Sequence, residues 1–342
     1  MGALDARQRR LTGLARGVRA AVVVPSLFAL ALLVIKQPQA AGFAVFGTFA
    51  HLVMVDYDRN AGARFTEAAM LTVLGALMVS LGALASACAW LTVSGAIAVG
   101  CLAEMPLPAD RRLTVIRAPL LLSFMLAVAV PVPARSAFPY LAGWLMAGIA
   151  AQPALLLIWV PLAPVPVARS IGSSRDGCPN PSGFADRPAW IGQSIGTGLA
   201  LGLAVLLARL LKVGHPFWVI LGVLPVLSAR GESMTHTFWE EQAGTTIGFL
   251  VSAVLVATIG PHQASYWLGL PFVVLISAYA YSAAGFLAGQ AASTVFTVLL
   301  FCILLPQQRY VGTSRVEDIA IGGAVSLVVG SLRNLGAVRA RG

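Results

Sequence analysis

Charge is what this sequence has least of. Asp, Glu, Lys and Arg make up only 11% of its 342 residues, against about 25% in a soluble globular domain. The apolar share of 58% is more than one water-facing core of this size could hide. A soluble cytosolic enzyme is excluded first. Disorder is excluded next, because it requires low hydrophobicity.

Lysine is nearly missing: Lys36 and Lys212 are the only two. Neither is followed by Ser or Thr, so the phosphate-cradling loop GxxxxGK[ST] is absent, and with it ATP hydrolysis. HExxH is absent too. The only close aspartates are Asp56 and Asp58, which leaves no paired Asp-rich Mg²⁺ motif of the kind intramembrane prenyl transferases need. The four cysteines, Cys88, Cys101, Cys178 and Cys302, have no paired spacing, so they read as small hydrophobes rather than disulfides or a metal site. The chain is therefore expected to be no enzyme and to need no cofactor and no metal.

What is present is a succession of apolar runs. A bilayer core ~30 Å thick asks for about 20 apolar residues per helix. Six runs lie in the first half, about Val18–Ile35, Gln39–Val55, Ala68–Ala87, Ala89–Ala103, Pro119–Pro133 and Phe138–Pro161. Six more lie in the second, about Ile191–Leu211, Pro216–Ser228, Ala243–Gly260, Ala264–Tyr281, Ala284–Leu305 and Asp318–Leu335. The first run follows Arg7, Arg9, Arg10, Arg16 and Arg19, the order of a signal peptide. It is longer than a signal's apolar region and further spans follow at once, so an uncleaved first helix is expected. The expected fold is an all-α polytopic membrane protein of about twelve transmembrane helices. Its expected units are an N-terminal six-helix repeat over 1–161, a Pro-rich linker over 162–190 and a C-terminal six-helix repeat over 191–342.

The net charge of +10 reads first as topology, because cytoplasmic loops gather Lys and Arg. With the N-terminus inside, twelve spans put 17 of the 23 cations on the cytoplasmic side. Lys36, Arg135, Arg209, Lys212, Arg309 and Arg315 remain outside. The split favours an even number of spans in the inner membrane with both termini cytoplasmic, and it makes nucleic-acid binding a poor reading. The partners expected are the lipid bilayer and a small organic anion, with an oligomer left open.

The halves echo each other. Phe65-Thr66-Glu67 leads into Thr72-Val73-Leu74-Gly75, and Phe238-Trp239-Glu240 leads into Thr245-Thr246-Ile247-Gly248, displaced by 173 residues. Lys36 and Lys212 both sit between the first and second spans of their halves, 176 apart. An even number of spans per copy would make the repeats parallel, related by an axis along the membrane normal.

Ionisable groups within or beside spans are the functional candidates, because each is costly at membrane depth. His51 is titratable near neutral pH and reads either as a packed helix end or as a proton-coupling or gating group. Glu67 and Glu240 read as carboxylates at positive helix ends or as a pair near a central axis. Arg209, Lys212, His215 and Trp218 stand at the outer mouth of the eighth span. Trp218 there is either part of an aromatic belt or part of a pathway in which two cations, a histidine and an indole meet an aromatic carboxylate.

The stretch from His215-Pro216-Phe217-Trp218 to Gly244-Thr245-Thr246-Ile247-Gly248 resembles the fusaric-acid-resistance (FUSC) family, also called aromatic acid exporters. That family carries H-x-x-W opening one span and R-x-x-G-T-x-x-G opening the next. Arg315-Val316-Glu317-Asp318-Ile319-Ala320-Ile321-Gly322 looks like its R-x-x-D-x-x-x-G before the last span. The resemblance implies two six-helix halves around a central pathway that exports small organic, in particular aromatic, carboxylic acids on the proton gradient. A more distant group, the aluminium-activated malate transporters, implies a passive anion channel. The family's arginine of R-x-x-G-T falls at Glu241 here and at Ala68 in the first half. That loss of a cation, together with the lack of the family's large cytoplasmic domains, leaves a non-transporting membrane scaffold as a third reading.

Overall fold

The computed structural model describes residues 2–57, 60–105, 111–130, 137–158, 187–229, 233–260, 262–305 and 311–339. Those residues are helical, with no strand among them. The helices of the first half are α1 (Gly2–Ala29, continued by a π turn over Leu30–Val34), α2 (Pro38–Leu52), α3 (Ala61–Ser86), α4 (Ala89–Glu104), α5 (Arg111–Ala129) and α6 (Phe138–Leu157). Those of the second are α7 (Arg187–Leu210), α8 (Pro216–Ser228), α9 (Ser233–Ile259), α10 (Gln263–Ala283), α11 (Phe286–Leu304) and α12 (Val311–Arg339). The linker expected over 162–190 lies outside the described residues, apart from 187–190 at the start of α7.

Local chemistry sets many of these ends. Proline opens α2 and α8 and stands second in α6, where its fixed φ suits the first turn and its missing N–H leaves nothing unpaired. Asn60 caps α3 by accepting from the Gly62 N–H at 3.0 Å, a side-chain cap of the usual kind. Lys36 (φ 58°) and Lys212 (φ 52°) adopt the left-handed conformation after α1 and α7.

Among the described residues, eight helices are long and apolar enough to cross a membrane: α1 with its π turn, α3, α5, α6, α7, α9, α10 and α11. This is a polytopic all-α membrane protein. Among the described residues α2, α4 and α8 have 15, 16 and 13 residues. At ~1.5 Å per residue each falls short of a ~30 Å hydrocarbon layer. α12 is long but carries Arg315, Glu317, Asp318, Arg333 and Arg339. Several helices also begin well before their apolar runs: α3 at Ala61 rather than Ala68, α9 at Ser233 rather than Ala243, and α12 at Val311 rather than Asp318. Hydropathy marks only the apolar stretch, whereas a helix runs on through a charged turn when that turn finds partners in the bundle.

Small residues set the packing. α2 lies along α6 and α8 along α12, while α3 lies along α5 and α9 along α11. The halves are joined by α1 against α10 and by α4 against α7. At these seams a side chain would collide with backbone: a Cβ on Gly143 would overlap the Ala40 carbonyl, one on Gly248 the Ala291 carbonyl, and one on Gly322 the Val219 carbonyl. Glycine at such crossings is how membrane helices approach closely. Large apolar side chains such as Trp90, Phe138, Leu157, Leu268 and Phe272 point outward. Arg16, Arg19, Arg64, Glu67, Glu241 and Arg315 are buried. That inversion of the water-soluble pattern is what a lipid solvent produces.

Candidate functional site

The second half encloses a chain of buried polar groups on α8, α9, α11 and α12. Gly244 and Gly248 let α9 press against the α11 backbone at Leu287 and Ala291. Glu241, one turn before Gly244, is thereby set beside α11, where Gln290 Nε2 donates to Glu241 Oε1 at 3.3 Å. One turn along α11, the Thr294 hydroxyl donates to the Gln290 carbonyl at 2.9 Å. Thr294 Oγ1 in turn accepts from Arg315 Nε on α12 at 3.3 Å. Glu241 and Arg315 are therefore the two ends of one polar chain, and they act on each other electrostatically.

Arg315 is held by an aromatic frame as well. Its guanidinium carbon lies 5.5 Å from the centre of the Trp218 ring, within cation–π range. Trp218 packs on Phe301 with centroids 5.6 Å apart, and His215 packs on Trp218 at 4.4 Å and on Phe301 at 5.5 Å. The Tyr281 phenol, on α10, donates to Ser293 at 3.3 Å and feels the charges of Arg315 and Glu241. Glu241 is fully buried and Arg315 is 3% exposed. Yet Glu241 Oε2 and Arg315 Nη1 have no hydrogen-bond partner among the described residues. Unpaired polar atoms of charged groups are costly inside a protein. Two in one cluster mark a place where a polar ligand would be stabilised.

The sequence candidates divide between this cluster and other places. Trp218, His215 and Glu241 belong to it. Trp218 is 1% exposed, so it is not a lipid-facing belt residue; it is buried because Phe301 and α12 cover it. Arg209 is turned toward the first half, where its Nη2 donates to the Ser86 carbonyl at 3.1 Å and to Thr92 Oγ1 at 2.7 Å. Lys212 is exposed in the turn between α7 and α8. Glu240 faces outward and pairs with His236 at 3.5 Å.

Glu67 is the seventh residue of α3, buried, with Asn60 as the cap; Glu240 likewise lies two turns into α9. Neither is an end-capping carboxylate, because both helices begin earlier than hydropathy suggests. Glu67 and Glu240 share a sequence offset but not an environment. His51 is fully buried in the first half: its ring contacts Trp144 at 5.3 Å, Nδ1 is 2.7 Å from the Gly47 carbonyl, and Nε2 is 3.1 Å from Thr72 Oγ1. It takes no part in the Arg315 cluster.

The topology expected from the sequence leaves Arg315 among the outer-side cations, before the last apolar run at Asp318. It is instead within α12 and buried. Gln290, Thr294, Tyr281 and Phe301 were missed too. The available signal was Gln290 and Thr294 at i and i+4 in a mostly apolar helix, which puts both on one face.

The family model described as "Fusaric acid resistance protein-like" matches residues 203–329. The match makes this stretch similar to that family. No curated protein and no solved structure matches the chain. The matched segment runs from the second half of α7 into α12, and it contains every residue of the Arg315 cluster.

Proposed function

We propose that this protein is a proton-coupled inner-membrane exporter of small aromatic carboxylic acids and not an enzyme. The observation that carries the reading is Arg315, a buried cation lying over the Trp218 ring with one nitrogen unpaired. A guanidinium offers a carboxylate paired charge-assisted hydrogen bonds, and the Trp218, Phe301 and His215 rings offer an apolar slot for an aromatic body. The family match of the segment that holds these residues supports a transport role. In this reading Arg315, the arginine of the family-like R-x-x-D-x-x-x-G, keeps a cation at the site although the arginine of R-x-x-G-T-x-x-G is replaced by Glu241.

The architecture we propose is two parallel six-helix repeats, 1–161 and 191–342, with both termini cytoplasmic. Matching neighbours in the two halves support it: α2 with α6 and α8 with α12, α3 with α5 and α9 with α11, and α1 with α10 as α7 with α4. The left-handed Lys36 and Lys212 at equivalent turns support it further.

The test is flux of labelled benzoate across proteoliposomes containing the full chain. Wild-type protein is expected to carry it. Arg315→Ala should reduce flux at least tenfold, because a buried charge-assisted pair is worth about 2–5 kcal/mol. Trp218→Ala should weaken apparent affinity by roughly five- to thirtyfold, for ~1–2 kcal/mol of cation–π and stacking energy. Flux no greater than that of empty liposomes across a panel of aromatic acids would overturn the reading. Currents reversing at the anion equilibrium potential, unaffected by a pH gradient, would replace it with an anion channel.

A further inference from the structure

Arg315 is one end of a polar chain whose other end is a carboxylate, and that pairing bears on how protons and substrate are coupled. Glu241 is the acid at the far end of this chain, joined to Arg315 through Gln290 and Thr294. Each end keeps one unpartnered polar atom, Nη1 of Arg315 and Oε2 of Glu241. A substrate carboxylate on Arg315 would leave two carboxylates and one guanidinium in a buried site. Like charges so close cannot both stay ionised at low cost, and one takes up a proton.

We propose that Glu241 is a proton site coupled to substrate binding: the substrate carboxylate binds Arg315 as a proton from water binds Oε2 of Glu241, so the acid crosses as an electroneutral pair. This rests on the reading of Arg315 as the anion anchor. It goes beyond that reading by fixing the sign of the coupling. Proton and anion bind together and travel the same way, rather than in exchange. Export is then driven by the acid's own gradient and removes a proton with each anion. An acidic exterior would slow export instead of powering it.

The other titratable and charged groups around the site decide which residue is assigned. On α12, Asp318 is buried one turn beyond Arg315 with Oδ2 unpartnered, but it stands outside the chain of hydrogen bonds that joins Glu241 to Arg315, and Glu317 is exposed. On α9, Glu240 is turned outward to His236. α10 contributes Tyr281, which is already bonded to Ser293. From α11 come the neutral Gln290 and Thr294, and ahead of α8 stands His215, against the far face of the Trp218 and Phe301 pair. Among the described acids around the site, Glu241 alone is joined to Arg315 by this polar chain and keeps a bare oxygen in it.

Benzoate binding to the purified full chain, by titration calorimetry in buffers of different ionisation enthalpy between about pH 6 and 8, tests this. Wild-type protein is expected to take up close to one proton per benzoate, with affinity rising up to about tenfold per unit fall in pH. Glu241→Gln should bind benzoate with no proton uptake and no pH dependence. Asp318→Asn should behave as wild type. Binding without proton uptake by the wild-type chain overturns the coupling and leaves the anion site standing. Residual pH dependence in Glu241→Gln assigns the proton to His215 or Asp318 and also overturns it. If Glu241→Gln does not fold, His215→Gln and Asp318→Asn decide: proton uptake retained in both supports Glu241, and its loss in either overturns the assignment. Absence of benzoate binding at every pH overturns both the coupling and the anion site.

Discussion

At the scale of single residues, the glycines show how close the helices of this bundle lie. Gly322 on α12 faces the Val219 carbonyl on α8, and a Cβ there would overlap that oxygen. Because the obstacle is backbone, it cannot swing away as a side chain would. Gly322→Ala is expected to force α8 from α12, lower stability by about 1–3 kcal/mol and move Arg315 off Trp218. Gly192 on α7 has nothing within 4 Å of its Cβ position. Gly192→Ala should raise stability by up to about 1 kcal/mol through helix propensity alone. Thermal unfolding in detergent compares the two. Equal behaviour would show that Gly322 is not a contact residue.

Residue identity also explains what could be read in advance. His215 and Trp218 were legible because they share a short motif at the start of an apolar run. Arg315 was not, because a cation near an apolar run reads as a loop charge until the helix containing it is seen to start at Val311. Glu241 was legible as the departure from a family pattern. Its partner Gln290, 49 positions along the chain, could be identified only by folding.

At the scale of elements, the turns after α1 and α7 each carry a lysine in the left-handed conformation. A residue with a Cβ is strained there, and a β-branched one more so, while glycine is not. Lys36→Val and Lys212→Val are each expected to cost about 1–2 kcal/mol of stability, whereas the glycine variants should be near neutral, strain relief offsetting the greater freedom of glycine in the unfolded chain. The same denaturation assay reads all four. Similar losses at the two positions are expected if the turns are equivalent parts of two repeats; a loss at one alone would separate them. The helices themselves were largely visible as apolar runs. Their starts were not, because the first turns of α3, α9 and α12 are polar and hydropathy does not register a helix that continues through polar residues.

At the scale of the whole molecule, sidedness is open to a thiol test. Cys88 is exposed in the turn between α3 and α4, and the backbone N–H groups of Leu91 and then Trp90 hold its thiol below the ordinary value. A lowered thiol pKa means more thiolate at neutral pH, hence faster alkylation. In the proposed topology of six crossings per half with the N-terminus inside, this turn faces outward and the linker that holds Cys178, outside the described residues, is assigned to the cytoplasm. A membrane-impermeant maleimide added to intact cells should therefore label Cys88 and spare Cys178. Labelling of Cys178 instead would invert the topology.

The sequence alone determined that this chain lives in a bilayer as a set of helices, because scarce charge and long apolar runs leave no other solvent able to accommodate it. It also indicated the second half as the place to look, through a motif in residues 203–329. Tertiary structure decided which charges meet. Arg315, Thr294, Gln290 and Glu241 come from three helices and are joined by bonds of 3.3 Å or less, made possible by glycine contacts that bring those helices together. One-dimensional patterns report how a residue suits its solvent. Which side chain it touches is set by the packing of whole helices, and that information is spread over the entire chain.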